Sequence, residues 1–153
     1  MNIYNYNINM NKIIENLPQD VIDIIIPYTY NLQNKELLDD IQDYTKSKKV
    51  LFHNYYDYWI SYINEEEPQD KYWLINDLIS YTNNHKATMY GYTNKFYDIF
   101  YRNILLKTNQ DVDKYIINLD DKNVNSQINI LLGLLTKQER DEFISNTFFT
   151  KVI

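Results

Sequence analysis

Apolar side chains recur every three or four positions along most of this chain, and this spacing constrains the fold more than any other feature. Val112, Ile116 and Leu119 show the pattern in one segment. A period of 3.6 residues places such side chains on one face of an α-helix, whereas a half-buried strand requires strict alternation. Two glycines and three prolines in 153 residues are too few for the frequent turns of an all-β protein. The pattern predicts an all-α fold, a bundle of about seven or eight short helices.

Short capping motifs predict where several of these helices begin and end. Thr108 with Asp111 is expected to start one helix, and Thr136 and Glu139 are expected to form a capping box at the start of a later one. The helix that carries Leu74, Leu78 and Tyr81 is expected to end around Asn83 and Asn84.

The first half of the chain predicts a series of separate helices. One begins at Pro18, because proline suits the first helical turn. A second helix is expected before Ser47, and a third helix, central and rich in aromatic residues, is expected to run from Ser47 to about residue 63. A later helix is expected over residues 93–106, with Ile104 turned inward. The second helix carries its apolar stripe at Leu37, Leu38, Ile41 and Tyr44.

The length predicts one domain. Residues 1–12 are of low complexity and are expected to be flexible, so residues 13–153 would form the single helical domain. The longest apolar stretch, Ile130–Leu135, is far shorter than the roughly 20 residues of a membrane span. The N-terminal segment also lacks the basic start and apolar centre of a signal peptide. We therefore expect an intracellular protein.

The charge argues against two classes of partner. The formal net charge is −6, and Lys46, Lys48 and Lys49 form the one basic cluster in the sequence. Nucleic-acid-binding domains usually present a basic face, and anionic membrane surfaces attract basic segments. We therefore expect neither nucleic acid nor membrane as a partner, and the oligomeric state stays open.

Few residues are candidates for chemistry. The chain has no cysteine, and its two histidines, His53 and His85, occur without any metal-ligand or catalytic spacing. The neighbouring acids Asp39 and Asp40 would point about 100° apart on a helix, so we read them as a solvated face rather than a proton-sharing pair. No catalytic residue, metal ligand or cofactor is predicted, and we expect a protein that is not an enzyme.

Sixteen tyrosines allow two interpretations. Tyrosine is enriched at protein interfaces because it combines a large apolar area with a polar tip. It also serves as an ordinary core residue, and most of the tyrosines here are expected to do so. The interface reading applies best to those that flank helix ends: Tyr28, Tyr30, Tyr90 and Tyr92.

Residues 17–51 resemble an F-box, a short helical module. The resemblance rests on Leu17-Pro18-x-Asp20-Val21-Ile22-x-x-Ile25 and on the later Glu36-Leu37-Leu38. In F-box proteins this segment docks on the adaptor Skp1 and recruits a ubiquitin ligase. The resemblance implies a partner-binding set made of Leu17, Pro18, Val21, Ile22, Ile25, Leu37, Leu38 and Ile41.

The whole chain is also similar to small proteins of giant DNA viruses with AT-rich genomes, such as relatives of mimivirus. Phrases such as IIPYTYNLQ and WLINDLISY carry this likeness. This likeness implies an origin in such a virus and no activity of its own. Combined with the F-box resemblance, it leads us to expect an F-box-like adaptor that acts by protein–protein interaction in the host cytoplasm or in the virion. The alternative is a structural or virion-packaged helical protein that does not bind Skp1.

Overall fold

The computed structural model describes residues 18–21, 23–24 and 34–149, and the chain divides into two compact units, Met1–Leu37 and Leu38–Ile153. In the first unit residues 19–21 and 23–24 are helical, and the amide of Val21 donates a hydrogen bond of 3.0 Å to the carbonyl of Pro18. This turn agrees with a helix that begins at Pro18. Residues 1–12 lie outside the described residues, and the limits of the single domain at 13–153 stay a prediction.

Helices joined by short connections make up the described part of the chain, which contains no β-strand. The α-helices are α1 (Lys35–Tyr56), α2 (Gln69–Thr82), α3 (Asn94–Phe100), α4 (Asn109–Asp120), α5 (Val124–Leu134) and α6 (Lys137–Phe149). A π-helical turn, Asp57–Tyr62, continues α1, and a 3-10 turn, Thr88–Tyr90, lies between α2 and α3. The all-α class predicted from the apolar period is confirmed.

The hydrophobic core of the second unit is built from the apolar stripes of all six helices. Helix α2 lies at its centre and packs most extensively against α5. The fully buried core side chains are Leu51, Leu74, Leu78, Phe96, Phe100, Val112, Ile128, Leu131 and Leu132. Truncating one such leucine to alanine typically costs about 2–5 kcal/mol, so this cluster supplies much of the stability of the fold.

The predicted helix starts at the two capping boxes are confirmed. Thr108 accepts a hydrogen bond from the amide of Asp111, whose carboxylate accepts one of 2.9 Å from the amide of Thr108. In the same way, the carboxylate of Glu139 accepts a hydrogen bond of 2.8 Å from the amide of Thr136. The predicted end of α2 is also confirmed, because Asn83 is its C-terminal cap.

Helix α1 corrects the predicted division near Ser47. The structure has a single helix of 22 residues there, and Ser47 is buried inside it. No glycine or proline occurs between Lys35 and Tyr56, so nothing in the sequence ends the helix. The small serine side chain instead faces the core one turn before Leu51.

Helix α3 is shorter than the predicted residues 93–106. It ends at Phe100, and the amide of Leu106 then donates to the carbonyl of Asn103 in a turn. The side chain of Asn103 accepts a hydrogen bond from the amide of Leu105, which offers the backbone an alternative to the helix. As a result Ile104 is 76% exposed rather than turned inward, and Leu106 is buried in its place.

A buried arginine ties the last helix to the first. Arg140 on α6 is 1% exposed, and its guanidinium donates to the carboxylates of Asp40 and Asp43 on α1 and to the carbonyl of Leu135. This contact corrects the reading of Asp40 as part of a purely solvated face. Asp40 is half exposed, yet one of its oxygens pairs with a guanidinium from 100 residues further along the chain.

Candidate functional site

The first part of α1 exposes the apolar residues that were predicted to bind a partner. Leu37, Leu38 and Ile41 are 51%, 41% and 49% exposed, and their spacing of three and four positions places them on one helix face. The next member of the stripe, Tyr44, is different. It packs against the core, and its hydroxyl donates a hydrogen bond of 3.0 Å to the side-chain oxygen of Asn129 on α5. The exposed stripe therefore ends before Tyr44.

The other predicted partner-binding residues lie in the first unit. Pro18 is exposed and Val21 is half-buried. Leu17, Ile22 and Ile25 lie outside the described residues. Three members of the predicted set, Leu37, Leu38 and Ile41, are thus shown to share one exposed helix face.

A second apolar surface, which we call the aromatic platform, consists of Tyr58, Trp59, Tyr62 and Trp73. Trp59 and Trp73 stack face to face with ring centroids 4.4 Å apart and planes 2° from parallel. Tyr58 meets Trp59 edge to face at 5.2 Å, and Tyr62 stacks on Tyr58 at 6.1 Å. Tyr62 is 79% exposed and Trp73 is 41% exposed. The platform is therefore a fixed aromatic cluster with much of its surface in solvent.

A π-helical turn positions this platform. The amide of Ile63 donates 3.0 Å to the carbonyl of Tyr58, five residues back, which widens the last turn after α1. Asn64 then adopts a positive φ of 66°, and the amide of Glu65 returns to bond the carbonyl of Trp59 at 3.0 Å. Single π-helical turns are rare and are often found at functional sites. A central helix was expected to run to about residue 63, but α1 ends at Tyr56 and Tyr62 is 79% exposed.

An acidic segment borders the aromatic platform. Glu65, Glu66 and Glu67 are all exposed and begin three residues after Tyr62, the end of the π-helical turn. The hydrogen bond between Glu65 and Trp59 holds this segment against the platform. In the next helix Asp70 is 2% exposed, and its Oδ1 has no hydrogen-bond partner among the described residues. A sequence signal for this arrangement was present, because the only two tryptophans of the chain flank the acidic run.

A pocket of about 440 Å³ lies beside the loop that follows α2. Its polar lining includes Lys86, Asp120 and His85, and His85 has a positive φ of 60°. Buried Asn83 holds the loop in place. Its side-chain nitrogen donates a hydrogen bond of 2.7 Å to the carbonyl of Lys86, and its side-chain oxygen accepts one of 2.8 Å from the amide of Thr93.

The two histidines each lie near one polar side chain. Ser80 Oγ lies 3.5 Å from His85 Nδ1, which is long for a hydrogen bond. His53 is exposed on α1 and lies 3.3 Å from a carboxylate oxygen of Asp57 one turn on. Among the described residues, no group of three or more His, Asp and Glu is arranged to hold a metal ion.

The strongest electrostatic effects concern residues that hold helices together. Burial, with a hydrogen bond to Asp77 on α2, raises the pKa of Tyr55 above its usual value. The guanidinium of Arg102, which donates two hydrogen bonds to Glu139, lowers the pKa of Glu139 to about 2. Both groups therefore keep one protonation state near neutral pH, and they act as fixed structural contacts.

Comparison of the chain with protein-family models, curated proteins and solved structures found no match. A search of the described helices for a segment long and apolar enough to cross a bilayer found none.

Proposed function

We propose that this protein is a non-enzymatic protein–protein interaction module, an F-box-like adaptor whose α1 stripe binds a Skp1-type partner. The α1 stripe is the set Leu37, Leu38 and Ile41. The observation that carries the proposal is that all three are about half exposed on one face of a single helix. Within the virus-like interpretation the protein would act in the host cytoplasm or be packaged in the virion.

The energetics support a docking role for this stripe. Amphipathic helices bind hydrophobic grooves through anchors at spacings of three and four residues, which is the spacing found here. Burying the half of each side chain that remains in solvent would contribute roughly 1 kcal/mol per residue. A partner that covers all three would therefore gain a few kcal/mol, enough to contribute to binding but not to supply all of it.

The test measures binding of purified Skp1-type adaptor to the full chain by calorimetry. The test variant is Leu38→Asp/Ile41→Asp. The matched control is Ile104→Asp/Leu105→Asp, which alters two apolar side chains that are even more exposed, at 76% and 79%. We expect the test variant to abolish binding and the control to retain it, with both variants keeping the melting temperature of the wild type.

Two results would count against the proposal. The first is an absence of binding by the wild type at the highest attainable concentration, which would favour the structural or virion-packaged alternative. The second is equal loss in both variants, which would show that any exposed apolar pair affects the measurement.

A further inference from the structure

We propose that the aromatic platform, together with Glu65, Glu66 and Glu67, binds an arginine- or lysine-bearing segment of a protein partner. This site is separate from the α1 stripe. Ile41 and Tyr58 are 17 positions apart, which corresponds to roughly 25 Å along a helix. The proposal goes beyond the Skp1-type docking proposed above and holds or fails independently of it.

The rings of the platform are already held in one arrangement. The Trp59–Trp73 stack is parallel to within 2° and Tyr58 packs against its edge, so these rings lose little conformational freedom when a ligand arrives. The exposed surfaces of Tyr62 and Trp73 remain for contact. Aromatic faces attract guanidinium and ammonium groups that lie within about 6 Å of the ring centroid.

The negative charge next to the rings favours a positively charged partner. Glu65 is bonded through its amide to Trp59, and Glu66 and Glu67 follow it, all in solvent. Lys71, whose side chain is 25% exposed, pairs with the 56% exposed side chain of Glu67 at 3.7 Å, and an incoming cation can replace this long contact. A basic segment would meet aromatic faces for its cations and carboxylates for its ion pairs.

Other occupants fit this surface less well. Nucleic acid could stack on aromatic rings, but the phosphate backbone would be repelled by three adjacent glutamates. A second copy of the chain carries a net charge of −6, which opposes association through an acidic surface. Self-association is nevertheless a measurable outcome of the experiment below.

The experiment titrates the full chain with an acetylated and amidated octapeptide of alternating glycine and arginine, and with the same peptide carrying citrulline in place of arginine. Both tryptophans of the chain lie in the platform, so their fluorescence reports directly on occupancy of this site. Calorimetry gives the affinity independently. We expect the arginine peptide to shift tryptophan emission, with an affinity that falls as salt is added, and the citrulline peptide to cause no shift.

Matched variants separate this site from the general negative charge. Glu65→Lys/Glu66→Lys/Glu67→Lys is compared with Asp98→Lys/Asp121→Lys/Asp141→Lys, which changes net charge equally at exposed positions outside the platform. We expect the first triple variant to lower affinity by about tenfold or more, because it replaces several modest ion pairs by repulsions. The second is expected to lower affinity much less.

A second pair of variants tests the rings. Tyr62→Ala is expected to lower the affinity for the arginine peptide about threefold through loss of a cation–π contact. Tyr90 lies outside the platform and is 69% exposed, and Tyr90→Ala is expected to leave this affinity unchanged. Neither variant removes a tryptophan, so the fluorescence readout is kept.

Four results would overturn the proposal. These are no emission shift with the arginine peptide, equal binding of the citrulline peptide, and equal weakening by the two triple variants. The fourth is sedimentation of the free wild type as a dimer that Tyr62→Ala dissociates, which would assign the platform to a second copy.

Discussion

Replacement of Arg140 by methionine tests how the first and last helices are held together. Methionine fills a similar volume but removes every hydrogen bond that the guanidinium makes. Asp43, whose side chain is 11% exposed, would lose its contacts of 3.0 Å and 2.9 Å to the guanidinium. Among the described residues, Lys137, at 3.6 Å and largely in solvent, would remain as the one ion-pair partner of Asp43.

The expected cost follows from this burial. Removing one partner of a buried ion pair typically destabilises a protein by about 3–5 kcal/mol, because the other charge is left uncompensated. For a chain of this size each kcal/mol lowers the melting temperature by about 2–4 °C. We therefore expect Arg140→Met to melt roughly 6–20 °C below the wild type.

The assay is thermal and urea unfolding followed by circular dichroism, with Arg102→Met as the matched control. Arg102 also pairs with a carboxylate, that of Glu139, and bonds the carbonyl of Leu134 at 2.7 Å, but its side chain is 37% exposed. Water can replace these contacts, so we expect a cost of only about 1–2 kcal/mol. If Arg140→Met costs no more than Arg102→Met, the reasoning from burial is wrong.

Three further predictions concern single contacts. Glu139→Gln should destabilise the protein at neutral pH and lose its effect at about pH 2. The pKa of Glu139 is lowered from 4.5 to about 2, so its stabilising charge is lost as pH falls through that range. A constant difference in melting temperature between variant and wild type from pH 5 to 2 would contradict this. Asn83→Ala should cost about 1–3 kcal/mol in urea unfolding, since it leaves the partly buried amide of Thr93 without its acceptor, whereas Asn125→Ala at an exposed site should cost almost nothing. Thr108→Ala should cost about 1 kcal/mol by loss of the cap of α4, and a melting temperature equal to that of the wild type would argue against the capping box.

Local rules in the sequence determined the helical class and many helix boundaries. The period of 3.6 residues placed Val112, Ile116 and Leu119 on one helix face, and all three are buried in the core. The hydroxyl of Thr108 and the carboxylate of Asp111 marked the start of α4, because capping involves groups only three residues apart. The exposed stripe of Leu37, Leu38 and Ile41 was also named from the sequence, although its role as a binding surface stays a proposal.

Tertiary structure decided which faces are covered and which distant groups meet. The same period placed Ile104 inside, yet it is 76% exposed, because a hydrophobic stripe shows what a helix can bury and not whether a neighbour covers it. Arg140 meets Asp43 across 97 positions, and Trp59 stacks on Trp73 after a widened helical turn. Such contacts depend on how whole helices pack against one another, and no local pattern of residues encodes that packing.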